Sequence, residues 1–242
     1  MTGGARIGSV PYLNARPLID ALPGEVHLAH PVQLSAMLRA GELDAALVPV
    51  VEVLEHDAYQ VLNGYCVGCD GPVHSVFLAH ETPLAEVCRV ALDAASRTSV
   101  QLLRVLLHQQ AGLRPDYVSQ GEPANAQLRI GDQALRFREN HPHWRYFDLG
   151  EEWKRWTGLP FVFAVWALRH DAPPETARLL REAGRAGVAA RHALAANEAE
   201  RQYLCQHIRY ELGPRQQEAI GEFSRRLGIE GLPVRPPTAF VE

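Results

Sequence analysis

The chain has 242 residues, 47% of them hydrophobic and 21% charged, with a formal net charge of -4. Such a composition belongs to a globular protein that buries roughly 70% of the surface its unfolded chain exposes. The slight acidity gives no general attraction to phosphate backbones or anionic lipid, so nucleic acid and membrane surfaces are not expected partners, and any anion must be caught locally.

The opening residues Met1-Thr2-Gly3-Gly4-Ala5-Arg6 carry no apolar stretch of secretory type. The apolar runs Ala45 to Val51 and Phe161 to Leu168 are far shorter than the ~20 residues that span a bilayer. A cytoplasmic protein is expected. From Arg6 to Val10 the pattern predicts a strand ended by Pro11, then a helix over Asn14 to Leu22 stopped by Pro23-Gly24. Val26 to His30 reads as a second strand, Pro31 to Ala40 as a helix with Leu34, Met37 and Leu38 on one face, and Ala45 to Val50 as a central parallel strand. After an extended run from Tyr59 to Val67 and the turn Asp70-Gly71-Pro72, a strand over Ser75 to Ala79 leads to a boundary near Glu81-Thr82-Pro83.

A second strand and helix series follows. It has strands at Arg89 to Leu92, Tyr117 to Ser119, Leu128 to Gly131 and Tyr146 to Leu149, and an amphipathic helix after Ser96 burying Val100, Leu103, Leu106 and Leu107. Phe161 to Arg169 is β-rich and returns to the first series. From Pro174 the composition is helical, and the Pro-containing tail from Leu232 to Glu242 reads as an extended strap. This alternation predicts an α/β protein of two lobes: a discontinuous first lobe of residues 1–80 and 167–242, and an inserted lobe of residues 81–166. A ligand cleft between the lobes is expected.

Four segments can carry chemistry. Val10-Pro11-Tyr12-Leu13-Asn14 lies where a first strand meets a first helix, the edge at which open α/β sheets bind ligands; Asn14 either grips a ligand hydroxyl or caps the helix. In Asp93 to Val100, Ser96, Thr98 and Ser99 beside Arg97 surround a helix start, which serves either as an anion site or as an ordinary cap. Ser75 and His74 follow the turn at Asp70, and strand alternation puts them on opposite faces, which favours Ser75 as the one facing the cleft. In Ile130-Gly131-Asp132, Gly131 permits close backbone approach, while Asp132 is either a helix cap or an acid–base group.

Cys66-x-x-Cys69 has no second pair at zinc spacing, and the four cysteines are expected to be free thiols; no metal is expected. His141-Pro142-His143 is expected on a surface loop. No Walker or dinucleotide glycine loop occurs, which argues against nucleotide cofactors, and no G-x-S-x-G elbow gives a serine nucleophile.

Taken in order, Val10-Pro11-Tyr12-Leu13-Asn14-Ala15-Arg16-Pro17-Leu18, Asp70-Gly71-Pro72-Val73-His74-Ser75-Val76, Ser96-Arg97-Thr98-Ser99-Val100, Ile130-Gly131-Asp132 and the run from Asp148 to Trp166 resemble the signature blocks of the chorismate dehydratase family of the futalosine route to menaquinone. The resemblance implies a type II periplasmic-binding-protein-like fold used by an intracellular lyase with no metal or organic cofactor. It implies chorismate as the small-molecule substrate, with Asn14 and Ser75 as catalytic residues. Tyr12, Ser96, Arg97, Thr98, Ser99, Gly131 and Asp132 are the implied substrate-binding set. The other reading is a non-catalytic small-anion binding protein of the same fold, and a monomer or weak homodimer is expected.

Overall fold

The computed structural model describes residues 4–92, 96–237 and 239–241. Asp93, Ala94 and Ala95, the first part of one candidate segment, lie outside the described residues, as do the extreme ends of the first lobe's expected range.

In chain order the strands are β1 (Ile7–Ser9), β2 (His27–Leu28), β3 (Ala45–Pro49), β4 (Tyr59–Cys69), β5 (Val76–His80), β6 (Arg89–Leu92), β7 (Asp116–Ser119), β8 (Ala126–Ile130), β9 (Arg145–Asp148), β10 (Phe161–Arg169), β11 (Arg209–Leu212) and β12 (Phe240–Val241). The helices are α1 (Arg16–Ile19), α2 (Pro31–Arg39), α3 (Val50–Glu55), α4 (Arg97–Val105), α5 (Gly131–Asn140), α6 (Leu149–Thr157), α7 (Glu175–Ala189), α8 (Glu198–Gln202) and α9 (Pro214–Ile229).

One sheet runs β11-β4-β10-β3-β1-β2, with β12 pairing β4 off that path, and a second runs β7-β6-β8-β5-β9. In the first sheet β1 is parallel to β2 and β3, and β10 is antiparallel to both β3 and β4. Ala45 to Val48 of β3 are buried on both faces, which is why that strand reads as an unbroken apolar run. In the second sheet β6 is parallel to β7 and β8, and β5 is antiparallel to β8 and β9. The sheets are the cores of two lobes, which the chain joins through the segment after β4 and the segment before β10.

The sheets divide the chain one strand earlier than the expected boundaries at residues 80 and 166. β5 pairs inside the second sheet and β10 lies wholly inside the first, so neither strand crosses between lobes. Three elements also differ from the pattern. The helix expected over Asn14 to Leu22 is a short 3-10 turn at Leu13–Ala15 followed by α1. α3 begins directly after Pro49, where the β-branched run Val50-Val51 resembles more strand, and β11 interrupts the helical C-terminal third. The tail does lie as a strap: Arg235 N–H donates to Leu54 O and β12 pairs in parallel with β4.

The connections between lobes are tied by one buried carboxylate. Asp148 caps α6 by accepting from the N–H groups of Gly150 and Glu151 at 3.0 and 3.1 Å. It also accepts from the N–H groups of Val73 and His74 at 3.1 and 2.8 Å, so the end of β9 holds the loop that leads into β5. His74 adopts a left-handed backbone, φ 63°, an uncommon state for a side-chain-bearing residue that these bonds sustain. Behind this joint Trp153, Phe161 and Phe223 pack edge to face at 5.0 to 5.9 Å, locking α6 and α9 onto β10.

Candidate active site

A cavity of about 710 Å³, open solvent at its mouth included, lies between the lobes, where small-ligand sites commonly occur. Its walls come in part from the end of β3 and the segments that follow β1, β6 and β8, the carboxyl ends of parallel strands. Tyr12 and Asn14 line it from one lobe. Ser75, Gly131 and the helix start with Ser96, Arg97, Thr98 and Ser99 line it from the connection and the other lobe. The rest of the wall is largely apolar, with Val10, Leu47, Val67, Phe163 and Ile208 contributing.

At the start of α4, Ser96 occupies the cap position, yet its hydroxyl makes no capping hydrogen bond. The first intrahelical bond here is Val100 N–H to Ser96 O at 2.9 Å, so the preceding amides have no acceptor within the helix and face the cleft end of the dipole. Ser96, Thr98 and Ser99 are all buried beside these amides. Hydroxyls and free N–H groups at a helix N-terminus are suited to a carboxylate. The same turn meets the opposite lobe where Val51 N–H approaches Thr98 Oγ1 at 3.5 Å.

Arg97 lines the cavity, as expected, and its guanidinium is at the same time paired with acidic groups. Its guanidinium crosses to α3 of the first lobe, bonding Glu52 Oε2 at 2.5 Å and Glu55. Glu52 is fully buried and also takes Arg39 at 2.5 Å and the Tyr59 hydroxyl at 3.3 Å. Burial alone would push the Glu52 carboxyl up, but the hydrogen bond and charge of Arg39, with Arg97 and His56, hold it below its ordinary value. The pair is thus a bridge between the lobes at the cavity rim.

Asn14 and Ser75 meet through a residue that the sequence patterns did not single out. Asn14 Nδ2 lies 3.1 Å from the Tyr203 hydroxyl, and Ser75 Oγ lies 2.8 Å from the same oxygen. Ser75 is further held by its carbonyl, which accepts from Gly131 N–H at 2.8 Å. Gly131 has φ 61° with open space where a Cβ would stand, so the turn brings bare backbone to the cavity wall.

Asp132, expected among the substrate contacts, does not line this cavity. It faces a second hollow behind Tyr203, shared with His74, His207 and Arg138. Nor does it cap α5, whose cap position is Ile130. Burial pushes its carboxyl above the ordinary range, against the Leu13 N–H, and its Oδ1 is buried with no hydrogen-bond partner. The His74 ring lies 3.8 Å from that of His207, tilted by 39°, on this far side, while Ser75 faces the cleft. Cys66 and Cys69 are buried free thiols on β4, and burial pushes both well above their ordinary value.

Among the described residues lining the cleft cavity there is no carboxylate and no imidazole. The arrangement sets hydroxyl, amide and backbone donors in a largely apolar wall, a chemistry suited to an anionic ligand.

Two α/β lobes with a cleft at their strand ends define a protein of periplasmic-binding-protein-like fold. Solved structures share that fold. One is a crystal structure of a protein from Archaeoglobus fulgidus, 14% identical, TM-score 0.72, covering 94% of this chain and 97% of that one. Another is a Candida albicans protein described as having the generic periplasmic binding protein structural fold, 12% identical, TM-score 0.64, covering 95% and 90%. Within that class the chain belongs to the menaquinone biosynthesis family, whose model matches residues 5–228. It is similar to a chorismate dehydratase of Thermus thermophilus, with 33% identity over 266 residues that cover 96% of this chain and 98% of the relative.

Proposed function

We propose that this protein is a cytoplasmic carbon–oxygen lyase that removes water from chorismate to give 3-[(1-carboxyvinyl)oxy]benzoate, without a cofactor. The observation that carries the reading is the composition of the cleft: Asn14, Ser75 and the hydroxylated start of α4 face one cavity whose described lining holds no protein base. Such a site suits a reaction in which the enzyme orients a substrate that carries its own base. In this reaction the C3–H bond and the C4–O bond break and the ring becomes aromatic, so the chemistry is strongly downhill.

The start of α4 holds the ring carboxylate, each hydrogen bond to it contributing about 1.5 to 3 kcal/mol. Asn14 and Ser75 position the oxygen substituents of the ring. The substrate's enolpyruvyl carboxylate takes the C3 proton and returns it to the departing C4 hydroxyl as water, so the protein neither gains nor loses a proton. An apolar wall leaves that carboxylate poorly hydrated and therefore more basic. With its bridge to α3, Arg97 keeps the lobes closed over the ligand instead of pairing with the carboxylate. Among the described residues the exposed large apolar side chains are Leu28, Val32 and Ile229, which supports a monomer or weak dimer.

Incubation of the purified protein with chorismate, followed by chromatography, tests the reading. The benzoate product is expected to accumulate. Binding of chorismate with its full recovery would instead indicate a solute-binding protein.

A further inference from the structure

Tyr203 is the point on which the two ring-positioning groups converge, although it does not itself line the cleft cavity. The residue is 1% exposed and stands between that cavity and the hollow behind it. It is also the first residue of a π-turn, Tyr203–His207, that follows α8. Such turns recur at functional sites because they swing one side chain out of the helical register.

The hydrogen bonds around the phenol have a direction. With Nδ2 at 3.1 Å, the Asn14 amide donates to the phenol oxygen. The single phenol proton then needs an acceptor, and Ser75 Oγ at 2.8 Å is the group in reach. Leaving that proton unbonded in a buried site would be costly, so the series runs from Asn14 N–H to Tyr203 O–H to Ser75 Oγ. Ser75 keeps its own proton free to donate into the cavity, and Asn14 keeps its carbonyl oxygen free to accept there.

Resting on the chorismate reading, we propose that Tyr203 is a positioning residue for the dehydration: it fixes Ser75 as a hydrogen-bond donor and Asn14 as an acceptor toward the ring oxygens of the substrate. Burial pushes the phenol above its ordinary value, so it remains protonated at neutral pH and retains this direction. Ser75, its polarity set, donates to the C4 oxygen as the C–O bond breaks, where negative charge develops. The interaction is stronger in the transition state than with bound chorismate, so its loss acts on turnover and not on binding.

The test compares the wild-type protein with Tyr203→Phe, which keeps the buried ring and removes the hydroxyl. For Tyr203→Phe, kcat for chorismate is expected to fall about 10- to 100-fold, equivalent to about 1.4 to 2.7 kcal/mol, with KM within about threefold. Because Tyr203 acts through Ser75 and Asn14, Tyr203→Phe made in a Ser75→Ala background is expected to cost clearly less than it costs in the wild-type protein, since only the Asn14 branch remains to be lost. Replacement of Tyr203 by 3-fluorotyrosine, which restores a hydroxyl, is expected to recover turnover. An unchanged kcat, a loss confined to KM, or losses that multiply in the double variant would each overturn the role. Absence of product from the wild-type protein would reject the reaction itself, and the positioning role with it.

Discussion

Replacing Arg97 by Met removes the charge that joins the lobes while keeping much of the side chain's bulk. The side chain of Glu52 is 0% exposed, that of Arg97 28% and that of Glu55 24%, so the bridge is neither fully dry nor fully wet. A hydrogen bond to a charged group is worth about 1.5 to 3 kcal/mol when buried, and exposed pairs about 0.2 to 1. Since Arg39 remains on Glu52 at 2.5 Å, the carboxylate is not orphaned, and an intermediate loss of about 1 to 2 kcal/mol applies. If the bridge forms on closure, this loss falls on the closed state alone. Calorimetric titration with the benzoate product should then show binding weakened about 5- to 30-fold. A second variant fixes the sign. Glu55→Ala breaks one arm of the bridge and leaves Arg97 in place, so binding weakens if Arg97 latches the lobes and strengthens if Arg97 grips the ligand. Unaltered affinity in Arg97→Met, or tighter binding by Glu55→Ala, would refute the latch.

Two further outcomes concern stability. An added Cβ at Gly150 would stand 2.5 Å from Cys69 Sγ and 2.6 Å from Gly71 O, so Gly150→Ala must displace the joint between the lobes. A cost of about 1 to 3 kcal/mol is expected, read as a melting temperature lower by about 2 to 12 °C; an unchanged melting temperature would show that the joint yields freely. On the far side of that joint, His74 and His207 are both held below the ordinary value of 6.5. Burial is the main cause in each case, with His207 and Arg138 adding to it at His74, and Arg138 and Arg209 at His207. The folded protein therefore keeps them neutral where the unfolded chain takes up protons, so the stability this contributes is present above about pH 6.5 and is lost as pH falls below it. The melting-temperature difference between wild type and His207→Asn should shift against the wild type from about pH 7.5 to about pH 5.5; a constant difference would contradict this.

Local pattern carried much of this molecule. The strand and helix alternation from Arg6 to Leu149 is written in periodicities of a few residues, and three of the four candidate segments sit where a strand hands over to a helix, the one bearing Ser75 lying between β4 and β5. Long-range facts were not legible in the same way. Tyr203 lies 189 residues from Asn14 and 128 from Ser75, inside a stretch of helical composition, and no local signal ties it to either. The expected lobe boundaries fell beyond β5 and within β10 because sheet membership depends on partners distant in sequence. Arg97 lines the cavity as its neighbours Ser96, Thr98 and Ser99 suggest, but its acidic partners on α3, 42 and 45 residues earlier, were not legible locally. For β11 the alternation of buried Tyr210 and Leu212 with exposed Arg209 and Glu211 was present, but four residues are too few to stand out among flanking helices.

The most direct test of the interlobe cleft as the place where chorismate loses water is the rate of product formation at saturating chorismate in the wild type and in Asn14→Ala. The wild-type protein is predicted to form the benzoate, and the variant to do so about 100-fold more slowly with KM altered only a few-fold. Equal rates from the two proteins would place the chemistry somewhere other than this cleft.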